Sequence, residues 1–338
     1  MAAYTAIDDP EAYFQTVIYT GDGSANHAIT LGADTDMQPD LVWIKNRDTT
    51  DSHCLFDSAR GATKVLHSDA VTAEVTDADT LTSFDSDGFT LGADVKVNTD
   101  TEAYVAWCWK ESATAGFDIV SYTGNRTDDT DISHNLSAVP KMIVVKNRDA
   151  ADAWQVYHAG NTAAPETDYM VLDTAAATAD AAERWSDEAP TSSVFTLGDG
   201  VEVNTDTENY IAYCFADVQG FSKFGSYTGN GAGGADGNFI YTGFRPAFIL
   251  LKNTGNASAE WRIYDNKRDS SNVMTKCLQP HVTDAEQTTA NIDFLSNGWK
   301  FRSNPSDGNF NQSGYSFIYM AFAEAPFVNS NGVPCNAR

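Results

Sequence analysis

Apolar residues in this chain come in runs of five to eight, rich in Val, Ile, Phe, Tyr, Trp and Thr and separated by clusters of Gly, Asn, Asp and Ser. That length and spacing predict β-strands joined by turns. In the run Tyr104-Val105-Ala106-Trp107-Cys108-Trp109, Tyr104, Ala106 and Cys108 share one face, and Val105, Trp107 and Trp109 share the other. Both faces are apolar, so cover on both sides is expected. Leu41-Val42-Trp43-Ile44 is continuously apolar and also reads as a central strand. Pro39, Pro140 and Pro246 each stand just before such a run, where a missing N–H costs no ladder bond. The alanine-rich stretch from Leu172 to Trp185 departs from the pattern and reads as a short helix or an ordered loop.

The runs repeat. Tyr19-Thr20-Gly21-Asp22 recurs as Tyr122-Thr123-Gly124-Asn125 and Tyr227-Thr228-Gly229-Asn230, at offsets of 103 and then 105 residues. Strands ending in Lys45-Asn46, Lys146-Asn147 and Lys252-Asn253 follow, then His53–Asp57, Trp154–His158 and Trp261–Asp265. Gly88-Phe89-Thr90-Leu91 matches Phe195-Thr196-Leu197 and, loosely, Gly298-Trp299-Lys300-Phe301. Asn98-Thr99-Asp100-Thr101-Glu102 matches Asn204-Thr205-Asp206-Thr207-Glu208; the third copy keeps Asn311 but continues with Gln312, Ser313 and Gly314. A period near 105 residues is too long for a solenoid repeat of about 20–50, and each copy is long enough for a domain. The expectation is an all-β chain of three tandem β-sandwich units, jelly-roll or lectin-like, at 17–111, 118–218 and 223–327. An N-terminal arm covers 1–16 and a C-terminal tail 328–338. Gly116 and Gly220 lie in linkers short enough for the units to pack together.

Charge narrows the partners. Lys and Arg total 21 against 47 Asp and Glu, a net charge of −26. Such a field repels nucleic acid and anionic membranes. Hydrophobic content of 42% is that of a folded protein. No run is long and apolar enough for a membrane span, and residues 1–5 lack the pattern of a signal peptide, so synthesis in a cytoplasm is expected. Five cysteines without CxxC spacing argue against a zinc or disulfide framework, and Cys108 and Cys214 read as buried, inert thiols.

Catalytic signatures are lacking: no HExxH, GxSxG or Walker A run occurs. The glycine-rich segment Gly229 to Gly234 precedes a strand, Phe239-Ile240-Tyr241, and reads as a turn rather than a phosphate loop. Asp85 and Asp87, in Asp85-Ser86-Asp87-Gly88, are weak calcium candidates, since a DxDG turn supplies two hard carboxylates but lacks the remaining EF-hand ligands. Asp128-Asp129-Thr130-Asp131 is weaker still, and the acidic turn Ser306-Asp307-Gly308 shows how common such turns are here. Asp100 and Glu102, with Asp206 and Glu208, read as polar turns that satisfy their own backbone. No catalytic residue, metal or cofactor is expected. His158 replaces an aspartate found at Asp57 and Asp265, and Trp43, Trp107, Trp109, Trp154 and Trp261 read as packing residues. Loops that differ between copies, at 22–26, 126–130 and 230–237, are the favoured contact surfaces.

The run Pro39 to Asp48, Phe56-Asp57-Ser58-Ala59-Arg60-Gly61-Ala62, Leu81 to Phe89, Tyr104 to Lys110 and the ending Asn329 to Arg338 resemble a repeated domain of marine tailed-bacteriophage proteins. The likeness is strongest in the first copy and weakest in the third, where Thr254 replaces Arg47 and Arg148. This resemblance implies a tail-fibre-like or other virion structural protein with lectin-like sandwiches and no catalytic residues. The leading expectation is therefore a tail component (fibre, baseplate or receptor-binding) on the virion exterior. It would bind other virion proteins and a host surface glycan and form a homo-oligomer, with a trimer suited to a tail. A capsid decoration protein is the alternative, and a glycan-degrading enzyme ranks below both.

Overall fold

A computed structural model describes residues 4–233, 236–302 and 308–335. Gly234, Ser306, Asp307 and the last three residues of the ending lie outside the described residues. The chain is all-β, and the α-helices among the described residues, Val95–Asn98, Ala182–Trp185 and Val201–Asn204, are single turns. The alanine-rich stretch resolves into an irregular loop, the two-residue strand Ala179–Asp180 and the turn Ala182–Trp185.

The strand Ala103–Trp109 lies inside its sheet, antiparallel to Phe14–Thr20 on one side and Leu41–Asn46 on the other. Cys54–Asp57, Lys64–His67 and Val75–Thr76 complete the order outward. The second repeat uses the same order: Phe117–Thr123, Asn209–Phe215, Met142–Asn147, Gln155–His158, Asp168–Val171, Ala179–Asp180. In the third, Ser222–Thr228, Ser316–Pro326, Phe244–Asn253 and Arg262–Asp265 follow suit. There Met274–Cys277 leaves the larger sheet and pairs with Gln287–Leu295 in the smaller one.

Each large sheet has a smaller one packed on it. Their strands are His27–Thr30, Gly88–Leu91 and Leu81–Asp85 in the first repeat, and Thr130–Ser133 with Val194–Leu197 in the second. The third repeat orders Phe239–Tyr241, Gly298–Phe301, Gln287–Leu295 and Met274–Cys277.

Alternation in the central strands sends side chains into two cores. Tyr104, Ala106 and Cys108 pack with Ile29, Phe89 and Leu91 of the first small sheet. Equivalent local clusters fill the second and third repeats. The opposite face, Val105, Trp107 and Trp109, enters a further cluster shared with Ile211, Tyr213 and Phe215 and with Ile318, Met320 and Phe322. So the cover expected on both faces of these strands exists, and on one face it comes from the other repeats. Trp43, Trp107, Trp109, Trp154 and Trp261 are all buried, as are Cys108 and Cys214. Burial pushes both thiols up, away from reactive thiolate.

Candidate functional site

Recurring polar side chains converge on the seams between repeats. Glu74 N–H donates to Arg148 O at 2.8 Å, Thr178 N–H to Thr254 O at 2.9 Å, and Glu286 N–H to Arg47 O at 2.8 Å. First repeat meets second, second meets third, and third meets first, so the contacts close a cycle. Lys146 Nζ reaches across to Val71 O and Lys252 Nζ to Ala175 O, both at 3.1 Å. Trp154 and Trp261 donate their indole N–H groups at 2.9 Å to His67 O and Val171 O of the preceding repeat. Lys45, Lys146 and Lys252 are buried, and desolvation pulls each ammonium down to about 8.

Two seams are ionic. Asp57 Oδ2 accepts from Arg60 Nε at 2.5 Å and from Tyr213 Oη of the second repeat at 2.7 Å. Glu74 then binds both Arg60, at 3.2 Å, and Arg148, at 2.9 Å. In the third repeat Asp265 holds Arg268 at 2.5 Å and accepts from Trp107 Nε1 of the first at 3.0 Å. Glu286 takes Arg268 at 3.2 Å and Arg47 through two bonds of 2.9 Å.

The third seam lacks these ion pairs, although the Lys252 ammonium still crosses it. His158, Asn161, Thr178 and Thr254 stand where Asp, Arg, Glu and Arg stand in the ionic seams. Asn161 Oδ1 accepts from Thr178 Oγ1 at 2.6 Å. His158 meets the strand whose Met320 occupies the register of Trp107 and Tyr213. A thioether cannot donate to a carboxylate. Instead His158 Nε2 donates to Tyr319 O at 3.1 Å while Nδ1 accepts from Gly160 N–H at 3.0 Å. Burial pulls this imidazole down to about 4, so it is neutral.

The acidic turns are tied locally. Asp85 accepts from Ser83 Oγ at 2.8 Å and Thr90 Oγ1 at 2.7 Å, and Asp87 from Met37 N–H at 3.3 Å. Asp128 and Asp129 take the Ser186 hydroxyl, and Asp131 takes Thr196 Oγ1 at 2.9 Å. Glu102 and Glu208 each accept at 2.5 Å from the buried amides of Asn46 and Asn147. Among the described residues, no group of three or more His, Cys, Asp or Glu is placed to share a metal ion. The variable loops are anchored alike where they begin, at Asp22 and Asn230 and at Asn125 just before the second: Asn98, Asn204 and Asn311 accept at 2.9–3.0 Å from their N–H groups.

One surface feature occurs once only. Phe239 and Tyr241, on the edge strand of the third small sheet, are 46% and 50% exposed. Register aligns them with Ala28 and Thr30 in the first repeat and Asp131 and Ser133 in the second, all exposed. The intervening Ile29, Ile132 and Ile240 are buried in every copy. The fold therefore requires the isoleucine and leaves its neighbours free.

Tyr241 lines a cleft of about 380 Å³ with Tyr4, Asp217, Gln219 and Lys223. Tyr4 Oη donates to Gly243 O at 2.7 Å. A Cβ at Gly243, whose φ is +85°, would lie 2.8 Å from that hydroxyl, so glycine is needed there. Lys223 Nζ stands 5.6 Å from the Tyr241 ring centroid. Comparing the matching strand positions across the three copies is the sequence signal that finds this site; the differing loops, not this strand, were the expected contact surfaces.

Over residues 9–326 the chain matches the family described as a domain of unknown function (DUF7483), and it belongs to that family. A single family model thus spans all three sequence repeats. No curated protein and no solved structure matches the chain.

Proposed function

We propose that the chain is a structural protein of a tailed-bacteriophage virion, a fibre, baseplate or receptor-binding component of the tail, that acts by binding rather than turnover. The observation that carries this reading is the closed cycle of seams. Recurring Lys, Arg, Asp and Glu side chains, the groups from which a catalytic centre would be drawn, lie between sheets and hold them together. Three sheet pairs around one shared core make a stiff support. On such a support, surface segments that differ between copies are held in fixed geometry for recognition. The likeness of Pro39 to Asp48 and of Tyr104 to Lys110 to marine phage virion domains supplies the biological setting.

The closed cycle also favours a second reading, a decoration protein on the capsid exterior. Contacts that return from the third repeat to the first give a block rather than a shaft. Gold-labelled antibody against the chain, applied to purified particles, tests both. Label at the tail, at low copy, is the expected result. Label spread over the head reassigns the chain to decoration, and intact particles that take no label overturn the virion reading.

A further inference from the structure

We propose that the cleft between Tyr4 and Tyr241 binds a neutral pyranose sugar, with the Tyr241 ring as its stacking platform. This deepens the binding reading above by naming a ligand class. Large apolar side chains held half in water on an edge strand are a liability for a fold, because exposed edges pair with other chains. The first two repeats avoid it at the matching positions with Ala28, Thr30, Asp131 and Ser133. The third carries two aromatic rings there, and neither is needed by the core, which is served by Ile240.

The chemistry around Tyr241 is that of a sugar site. A pyranose presents an apolar C–H face and a rim of hydroxyls, each both donor and acceptor. Tyr241 offers the flat apolar surface, and Phe239, two residues earlier, extends it along the same strand face. Asp217 and Gln219 bring acceptors, and Lys223 and Gln219 bring donors, to the same cleft. Its volume of about 380 Å³ suits one or two sugar rings. A chain charge of −26 disfavours an anionic saccharide. Lys223, the cation lining the cleft, is held by the Tyr241 carbonyl at 3.4 Å and by its ring, which leaves ammonium N–H groups for a sugar hydroxyl.

The test is saturation-transfer difference NMR on the full chain with methyl glucoside, galactoside and mannoside at millimolar concentration, and with methyl glucuronide as the anionic comparison. At least one neutral pyranoside should receive saturation, strongest on the protons of one ring face, and more than the glucuronide does. Tyr241→Ala should weaken that binding by roughly tenfold, the order expected for losing one aromatic stacking partner. Thr30→Ala, at the matching exposed position of the first repeat, should leave it unchanged. Lys223→Gln, which leaves the Phe239–Tyr241 strand untouched, should weaken it as well. No transfer to any neutral pyranoside, or an affinity left unchanged by Tyr241→Ala, overturns the proposal. So does a concentration-dependent dimer of the free protein that Tyr241→Ala abolishes, which would assign the edge to a second copy. None of these outcomes depends on where antibody labels the particle, so the sugar site and the virion reading fail separately.

Discussion

Phe322 is where the repeats meet, and removing it tests whether they form one cooperative unit. Its ring is 1% exposed and stacks on Phe14 of the first repeat at 5.0 Å. It also lies 5.8 Å from Trp109, 6.2 Å from Phe215 of the second repeat and 6.4 Å from Phe248 of its own. Replacing a buried Phe by Ala costs about 3–5 kcal/mol in lost burial and residual cavity. The upper half applies here, because neighbours on three separate sheets cannot all move in to fill the space. Against a total stability of about 5–15 kcal/mol this is a large fraction, and for one cooperative unit of 338 residues it corresponds to a fall in melting temperature of about 6 °C. The informative assay is hydrogen exchange under mild urea, read over Ala103–Trp109, Asn209–Phe215 and Ser316–Pro326. Phe322→Ala should lower protection in all three strands together, within one unfolding transition. Phe89→Ala, in the cluster confined to the first repeat, should open the first small sheet before the rest. Loss confined to the third repeat after Phe322→Ala, or a separate early transition, would refute the shared-core argument.

Three further outcomes are expected. His158 is neutral and held near 4 when folded but titrates at 6.5 when unfolded, so its contribution is present above 6.5 and lost as pH falls towards 4. Urea unfolding at a series of pH values should show His158→Gln removing about 1.4 kcal/mol per pH unit of acid sensitivity in that window. Glu286→Ala leaves the fully buried Arg268 with one carboxylate and Arg47 with none, and should cost about 3 kcal/mol in urea unfolding; Glu11→Ala, which breaks only the exposed pair with Lys267, should cost under about 0.5 kcal/mol. Calcium should leave the melting temperature unchanged relative to chelator, because Asp85 already has hydroxyl partners within its hairpin and Asp87 an amide partner at Met37.

Much of the fold is legible because strand alternation and turn composition are local properties. The two apolar faces of Tyr104–Trp109 announce that the strand is covered twice. Alternation does not say what provides the cover, and the shared core, made by strands about 105 residues apart, is invisible to it. The acidic composition suggests a solvated shell over neutral interiors, yet Asp57 and Asp265 are buried in seams with Arg60 and Arg268. Here the sequence pattern misleads for a physical reason: a buried carboxylate paired with a guanidinium in the same turn looks, in sequence, like any acidic turn. Arg47, Arg148 and Thr254 likewise read only as a varying position until Glu286, Glu74 and Thr178 are found opposite them.

Those pairs supply a criterion for function in a chain of repeats. A residue that recurs in every copy faces the same kind of neighbour in every copy, which is what a seam demands. When such a residue departs, its neighbour must depart with it. Arg and Glu become Thr254 and Thr178, Asp and Tyr become His158 and Met320, and Arg and Glu become Asn161 and Thr178. Each change is matched by its partner, across the seam or, for Asn161 and Thr178, within one repeat, because a lone buried charge left behind would be strongly destabilising. Phe239 and Tyr241 depart outside the three seams: the residue between them is the same isoleucine in each copy, Tyr241 is met by Lys223 of its own repeat, and both rings stay half exposed. A change placed outside the seams is not repairing one. It adds exposed aromatic surface at a position where two other copies of the same strand manage without it, and that surplus is the observation on which the proposed sugar site rests.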